Sequence, residues 1–348
     1  MILVSLRDLQ FRRRRFAVAI AGTALVLGIT LVLSGMTKSF DNEAQRSVDS
    51  FGGASWIAPA GATGTFLSSA TLPASIADAV RAATGAAAVP VALQFGKIPI
   101  DGVPTQVNVH GVPVGSFAHP QVRDGRALER KGEVVVDRLL DLDLGQRIEV
   151  QGRELTVVGR TSGLTYRAGI PTVTIAFEEA QELGFGGADL ATAIVSSAPV
   201  STAPPGTVVL TPTQVRDDLL EPMKSPSQTI TIMQWLLWIV ATMIVGSVVY
   251  LSALDRVRDF AVFKAMGATD RSVLVGLLAQ SLLLCALAYL VGIALSGVIA
   301  PRLTMQSEIP TYAYYGLAAV SVGVAVVSSV AGARRALKVD PALAFGGA

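Results

Sequence analysis

Residues 16–36 carry no charge, and the same pattern returns over residues 225–254, 272–300 and 310–333. An α-helix rises about 1.5 Å per residue, so roughly 20 residues cross a ~30 Å hydrocarbon core. Each run can therefore hold a spanning helix. Arg12, Arg13, Arg14 and Arg15 ahead of the first run resemble the basic start of a secretory signal. Signal cores are only ~7–15 residues, however, and no Ala-x-Ala site follows Met36, so an uncleaved anchor helix is expected. Pro301 and Pro310 punctuate the connection between the last two runs.

The pattern changes between the first and second runs. Met36, Phe40, Ala44 and Val48 recur every fourth residue, which predicts an amphipathic continuation of the first helix over residues 37–50. Short apolar runs at 89–93, 107–109, 134–136, 147–150, 155–158 and 172–175 predict strands, and Gln151-Gly152 between two of them predicts a hairpin. Residues 72–84 and 178–183 read as helices, and 52–74, rich in Gly, Ala, Ser and Thr, as a loop. Residues 213–229 lead back to the second span, with Leu219 and Leu220 as apolar contacts; with 37–50 they form a candidate stalk. The fold class predicted is an α-helical membrane protein with four transmembrane helices. An α+β domain, with a mixed or antiparallel sheet, is inserted between the first and second spans.

Charge fixes an expected orientation. The segments 1–15, 255–271 and 334–348 sum to +7, whereas residues 37–229 sum to −5. Basic excess marks the cytoplasmic side, so both termini are expected inside and the inserted domain outside. Trp235, Trp238, Tyr312, Tyr314 and Tyr315 fall where outer interfacial aromatics belong. The expected organisation is a cytoplasmic segment 1–15, spans 16–36, 230–254, 272–300 and 312–333, and an extracytoplasmic domain 37–229. A cytoplasmic loop 255–271, an external loop 301–311 and a cytoplasmic tail 334–348 complete it.

Composition narrows the chemistry. The chain of 348 residues is 51% hydrophobic and only 16% charged, with a mean hydropathy of +0.54, where soluble domains carry about 25% charged residues. A single Cys, Cys285, rules out an intramolecular disulfide and a thiolate metal cluster and reads as packing. His110 and His119 are the only histidines and take surface or structural roles. The acidic group Glu129, Glu133, Asp137, Asp141 and Asp143, interleaved with Arg126, Arg130, Lys131 and Arg138, reads as a solvated charged face. The sequence contains neither a phosphate loop nor a nucleophile elbow, so no catalytic, cofactor or metal residue is assigned. No ionisable residue falls inside a span, which argues against ion-coupled transport. Ala288, Gly292, Ser296 and Ala300 recur every four residues, a spacing that lets helix backbones approach closely. Arginine outnumbers lysine 22 to 6 and Ala and Gly are abundant, pointing to a GC-rich bacterial genome.

Loop 255–271 is the most informative stretch. Phe260, Phe263 and Met266, with Val262 beside them, form an apolar stripe. Such a helix either lies on lipid headgroups or enters a groove on a partner, and physics alone leaves both open. The run Arg258-Asp259-Phe260-Ala261-Val262-Phe263-Lys264-Ala265-Met266-Gly267-Ala268 resembles the coupling element of MacB/FtsX-like ABC permeases, with Asp259 for the usual Glu and Phe263 for Leu or Met. The tail from Ala333 through Arg335, Lys338, Asp340 and Pro341 to Ala342 resembles the ending of that family, although it then runs Leu343-Ala344-Phe345-Gly346. The stretch from Val134 to Gly159 more loosely resembles MacB-type outer domains.

The resemblance implies a MacB-like periplasmic core fold for the inserted domain and places Arg258 to Ala268 against a separate ATPase. It further implies a homodimer of this chain with two copies of a cognate ABC ATPase, which would bind the ATP and Mg; no cofactor is expected in this chain. The chain would be a non-catalytic permease in the bacterial inner or plasma membrane, transmitting ATPase motion to its outer domain for export of peptides, lipids, lipoproteins or drugs. The alternative implied is an FtsX-like transducer that activates an extracellular cell-wall hydrolase. Membrane lipids and an extracytoplasmic substrate or hydrolase are the remaining expected partners; nucleic acid is not one.

Overall fold

In the computed structural model the described residues are 13–62, 64–100, 102–255, 269–302 and 309–337. The chain divides into two compact units, Ser39–Pro226 on one hand and Met1–Lys38 with Ser227–Ala348 on the other.

In the first unit, the last turns of α1 (Arg13–Asp49) precede β1 (Ser55–Pro59), β2 (Leu72–Pro73) and α2 (Ile76–Thr84). A long hairpin follows, β3 (Ala88–Ile100) with β4 (Val103–Val112). Next come β5 (Asp124–Gly125), β6 (Glu133–Asp137), β7 (Arg147–Val150), β8 (Arg153–Thr161), β9 (Thr165–Tyr166) and β10 (Ile170–Ala176). The unit ends with α3 (Phe177–Phe185), β11 (Leu190–Ala191), β12 (Ala193–Ser196), β13 (Thr207–Leu210) and α4 (Pro212–Leu220). Among the described residues eleven strands form one sheet along β13-β1-β12-β3-β4-β10-β6-β8-β5, with β7 on β8 and β9 on β10, while β2 and β11 pair separately. The β4–β10 and β6–β8 pairs are parallel within an otherwise antiparallel ladder, so the sheet is mixed.

Strand alternation gives this sheet two cores. Ile57, Ala92 and Ile194 point into one, shared with Ala77 and Val80 of α2 and Ala180 of α3. Their neighbours Trp56, Val91 and Val195 point into the other, shared with Ala44 and Val48 of α1 and Val215 and Leu219 of α4. Local chemistry sets the ends. Gln151 at φ 50° and Gly152 at φ 88° make the predicted hairpin turn, whose paired left-handed residues match the twist of flanking strands. Thr211 caps α4 in a capping box with Gln214, with Pro212 in the first turn.

Three sequence expectations change here. Residues 52–74 are not all loop, because β1 lies inside the sheet with Trp56 and Ile57 fully buried. The helix expected from 72 starts at Ile76; Leu72 and Pro73 pair instead with β11, an edge position that tolerates the missing N–H of proline. The acidic group is not uniformly solvated either, since Glu133 and Asp137 are buried.

The second unit is helical: α1 to Lys38, then α5 (Lys224–Leu254), α6 (Asp270–Ile299) and α7 (Thr311–Leu337). Phe16, Val245, Val249, Leu284 and Ala325 pack one core of this bundle, and Leu27, Leu31, Ala288 and Leu317 another. Met243, Leu290 and Tyr315 instead stand well exposed. Apolar inside and out, all four helices are long and apolar enough to cross a bilayer. The chain is thus a four-helix membrane protein with a mixed α/β domain between its first and second helices.

Candidate functional site

The coupling residues Arg258, Asp259, Phe260, Ala261, Val262, Phe263, Lys264, Ala265, Met266, Gly267 and Ala268 lie outside the described residues, as does the tail beyond Leu337. The two stems of that loop are described. Asp255, the residue after α5, accepts a hydrogen bond from the Arg15 guanidinium of α1 at 3.1 Å. Arg15 also donates to the Val248 carbonyl at 3.4 Å. On the other stem, Gln280 of α6 donates to Ser252 of α5 at 3.0 Å, fully buried. The start of α1 is therefore tied to the same end of α5 as α6. The pair Arg15–Asp255 was missed in the sequence, where an acid at the very end of an apolar run facing an arginine cluster was its available signal.

The small residues of α6 sit against α1. Ala288 is completely buried among Ala24, Leu27 and Leu31. A Cβ on Gly292 would stand 3.0 Å from the Ala24 carbonyl oxygen and 3.2 Å from the Gly28 nitrogen, and one on Gly28 would stand 3.0 Å from the Gly292 carbonyl. The two backbones approach this closely only because neither position has a side chain. Ser296 is buried with its hydroxyl on the Ile293 carbonyl, and Ala300 is buried at the start of a 3-10 turn. Hydroxyls and amides make the other ties: Gln234 to Ser34 at 2.9 Å, Ser328 to the Thr242 carbonyl at 3.3 Å, Tyr289 to the Tyr314 carbonyl at 3.2 Å, and Ser281 with Ser329.

In the sheet unit several buried polar groups are tied into the fold. Glu133 is gripped by Arg126 at 2.5 Å and Arg130 at 3.0 Å, with Arg126 chiefly holding its carboxyl down to about 2. Asp137 caps the 3-10 turn Arg138–Leu140 and accepts from the Leu164 amide at 2.7 Å and Thr161 at 3.2 Å. Burial nonetheless pushes its carboxyl up. His110 lies within an aromatic cluster, 5.7 Å from Tyr166 and 5.1 Å from Phe51; burial drives it down to about 3, so it stays neutral. His119 lines a cavity with Arg46 and Arg123. Among the described residues no cluster of His, Cys, Asp and Glu could hold a metal ion.

On α1, Glu43 accepts from Thr165 at 3.0 Å and from the Gly169 amide at 3.2 Å, and Ser47 donates to the Thr165 carbonyl at 3.2 Å. Burial pushes the Glu43 carboxyl up, against the lowering pull of these donors and of Arg46.

A bundle of four apolar helices, tied by small residues, neutral hydrogen bonds and the Arg15–Asp255 pair and interrupted by a large domain, fits a permease subunit. The family description "FtsX-like permease C-terminal" matches residues 231–341. An uncharacterized ABC transporter permease of Mycobacterium bovis and one of Mycobacterium tuberculosis are each 40% identical over the full length of both chains. A second M. tuberculosis permease is 39% identical over the same extent. The chain belongs to the FtsX-like family of ABC transporter permeases. Among solved structures, it has a slight likeness to the periplasmic region of MacB from Actinobacillus actinomycetemcomitans, at TM-score 0.38 and 14% identity, covering 49% of this chain and 95% of that one. The extracellular domain of the noncanonic ABC-type transporter YknZ from Gram-positive bacteria scores 0.32 at 13% identity, over 42% and 83%.

Proposed function

We propose that this permease converts ATP hydrolysis by a separate ATPase into movement of its inserted domain, and thereby exports peptides, lipids, lipoproteins or drugs by mechanotransmission. Two copies of the chain pair, each with one ATPase, which holds the ATP and Mg. Both termini lie in the cytoplasm and residues 37–229 outside, in keeping with the +7 and −5 charge split. Residues 258–268 form the helix that docks on the ATPase, with Phe260, Phe263 and Met266 as its apolar anchors.

The observation that carries this reading is the FtsX-like match over 231–341, which takes in the loop, both flanking helices and most of the tail at once. The described stems support it. Arg15–Asp255 and Gln280–Ser252 tie both α1 and α6 to the end of α5, so a push on the loop reaches three helices.

The test is reconstitution in nanodiscs. The purified chain alone should hydrolyse no ATP, and adding the cognate ATPase should give a stable complex that does. Turnover by the isolated chain, or failure of the ATPase to co-purify, would sink the division of labour proposed here.

A further inference from the structure

The sheet unit contains a cavity of about 480 Å³ that the permease mechanism does not use. That volume falls within the ~300–1,000 Å³ typical of small-ligand sites. Three segments line it on a side open to solvent: the last turn of α1 with Arg46, the segment carrying His119 and Arg123, and the segment Thr161 to Leu164. The third segment is held in place from behind, because Asp137 accepts hydrogen bonds from both Thr161 and the Leu164 amide.

Two guanidiniums, Arg46 and Arg123, and the imidazole of His119 are among the groups that line this space. Both ring nitrogens of His119 and the Nε of Arg46 are buried without a hydrogen-bond partner. Neither the Arg46 nor the Arg123 guanidinium makes an ion pair among the described residues. The one acid of the lining, Asp49, accepts a hydrogen bond from Gln45 at 2.8 Å. Two guanidiniums thus outweigh one carboxylate in the lining. Planar guanidinium forks suit carboxylate and phosphate oxygens in particular.

We infer that this cavity binds a small oxyanion, a carboxylate or phosphate group, held by Arg46 and Arg123. The site is independent of how the permease is driven. The oxyanion could be carried by a free metabolite or by a lipid headgroup, and the two sources are separable.

The experiment is calorimetric titration of the full chain in neutral detergent with three probes: inorganic phosphate, succinate and dihexanoyl phosphatidate. Saturable binding of at least one is expected. Arg123→Gln, on an exposed side chain, should weaken it about tenfold or more. Asp49→Asn should strengthen it, because it removes the only opposing charge of the lining. Phosphate or succinate binding as well as phosphatidate indicates a free ligand; phosphatidate alone indicates a headgroup. Thermal unfolding of each variant checks that the fold is kept, and Arg46→Gln offers a second weakening variant. The inference is overturned if no probe saturates up to about 10 mM, or if the arginine and aspartate variants bind as wild type does.

Discussion

Glu43 on α1 and Thr165 on β9, 122 positions apart, are joined by a buried hydrogen bond of 3.0 Å. The same carboxylate takes the Gly169 amide at 3.2 Å, so one acid on the long helix closes the β9–β10 turn. Residues Arg167, Ala168 and Gly169 in that turn all have positive φ, at 58°, 65° and 88°. Side chains disfavour that region, and Glu43 is one of the groups that hold the turn in it.

Glu43→Ala should therefore destabilise the sheet unit by about 1–3 kcal/mol, the usual cost of leaving buried donors unmet. Glu43→Gln keeps an acceptor and should cost far less. The pH dependence has a definite sign. Because burial raises the Glu43 carboxyl above its ordinary 4.5, its contribution to stability is complete below that value and is lost as pH rises through the raised one. Unfolding midpoints measured across pH should show this slope in wild type and lose it in Glu43→Gln. Identical slopes would mean that Glu43 titrates normally in the fold.

The contact of Gly28 with Gly292 makes a packing prediction. Gly292→Leu drives a side chain into the Ala24 carbonyl and the Gly28 backbone, and overpacking of this kind costs about 1–3 kcal/mol. Gly297→Ala, whose Cβ would meet nothing within 4 Å, should be neutral. Thermal stability in detergent, compared between the two, checks the assignment; equal midpoints would show that α1 and α6 do not touch there.

Proposed topology is tested by cysteine labelling in a Cys285→Ser background. An impermeant maleimide applied to intact cells should label Ser201→Cys, on an exposed loop of the sheet unit, and should not label Gly347→Cys. Labelling of the tail position would reverse the orientation.

The coupling loop yields an affinity prediction. Truncating a buried aromatic anchor typically costs ~2–4 kcal/mol, so Phe263→Ala should weaken ATPase association by roughly 30-fold or more. Lys264→Ala should matter much less, since exposed charges at an interface rim contribute little. If the stripe of Phe260, Phe263 and Met266 lies on headgroups instead, Phe260→Ala/Phe263→Ala will still recover the ATPase in full, and the docking assignment falls.

How much the chain discloses depends on whether the signal is local. The four helices are legible because twenty apolar residues in a row have few other uses. Strands β6, β7, β8 and β10 declare themselves as short apolar runs between turn residues, and Gln151-Gly152 marks its hairpin. Strand β1 is hidden: Trp56 and Ile57 are only two large residues in a stretch otherwise rich in Gly, Ala and Ser, and its partners Val195 and Ile194 come from the far end of the domain. Burial of Glu133 and Asp137 is illegible for a related reason. In a string of alternating charges they look like their exposed neighbours, and only the folded positions of Arg126, Thr161 and Leu164 single them out. The cavity at His119 is assembled from three separate segments and leaves no linear trace.

Among the described residues, the ties deep in the apolar bundle are made by serine, threonine, tyrosine and glutamine, and the one ion pair, Arg15 with Asp255, stands at the ends of the apolar runs. Moving one elementary charge through the membrane potential is worth about 2.3 kcal/mol per 100 mV. With no charge inside any of its apolar runs, this bundle can shift its helices without the voltage across the membrane opposing or assisting the motion. On the mechanism proposed above, such a stroke would be electrically silent, the same in an energised cell as in a depolarised one.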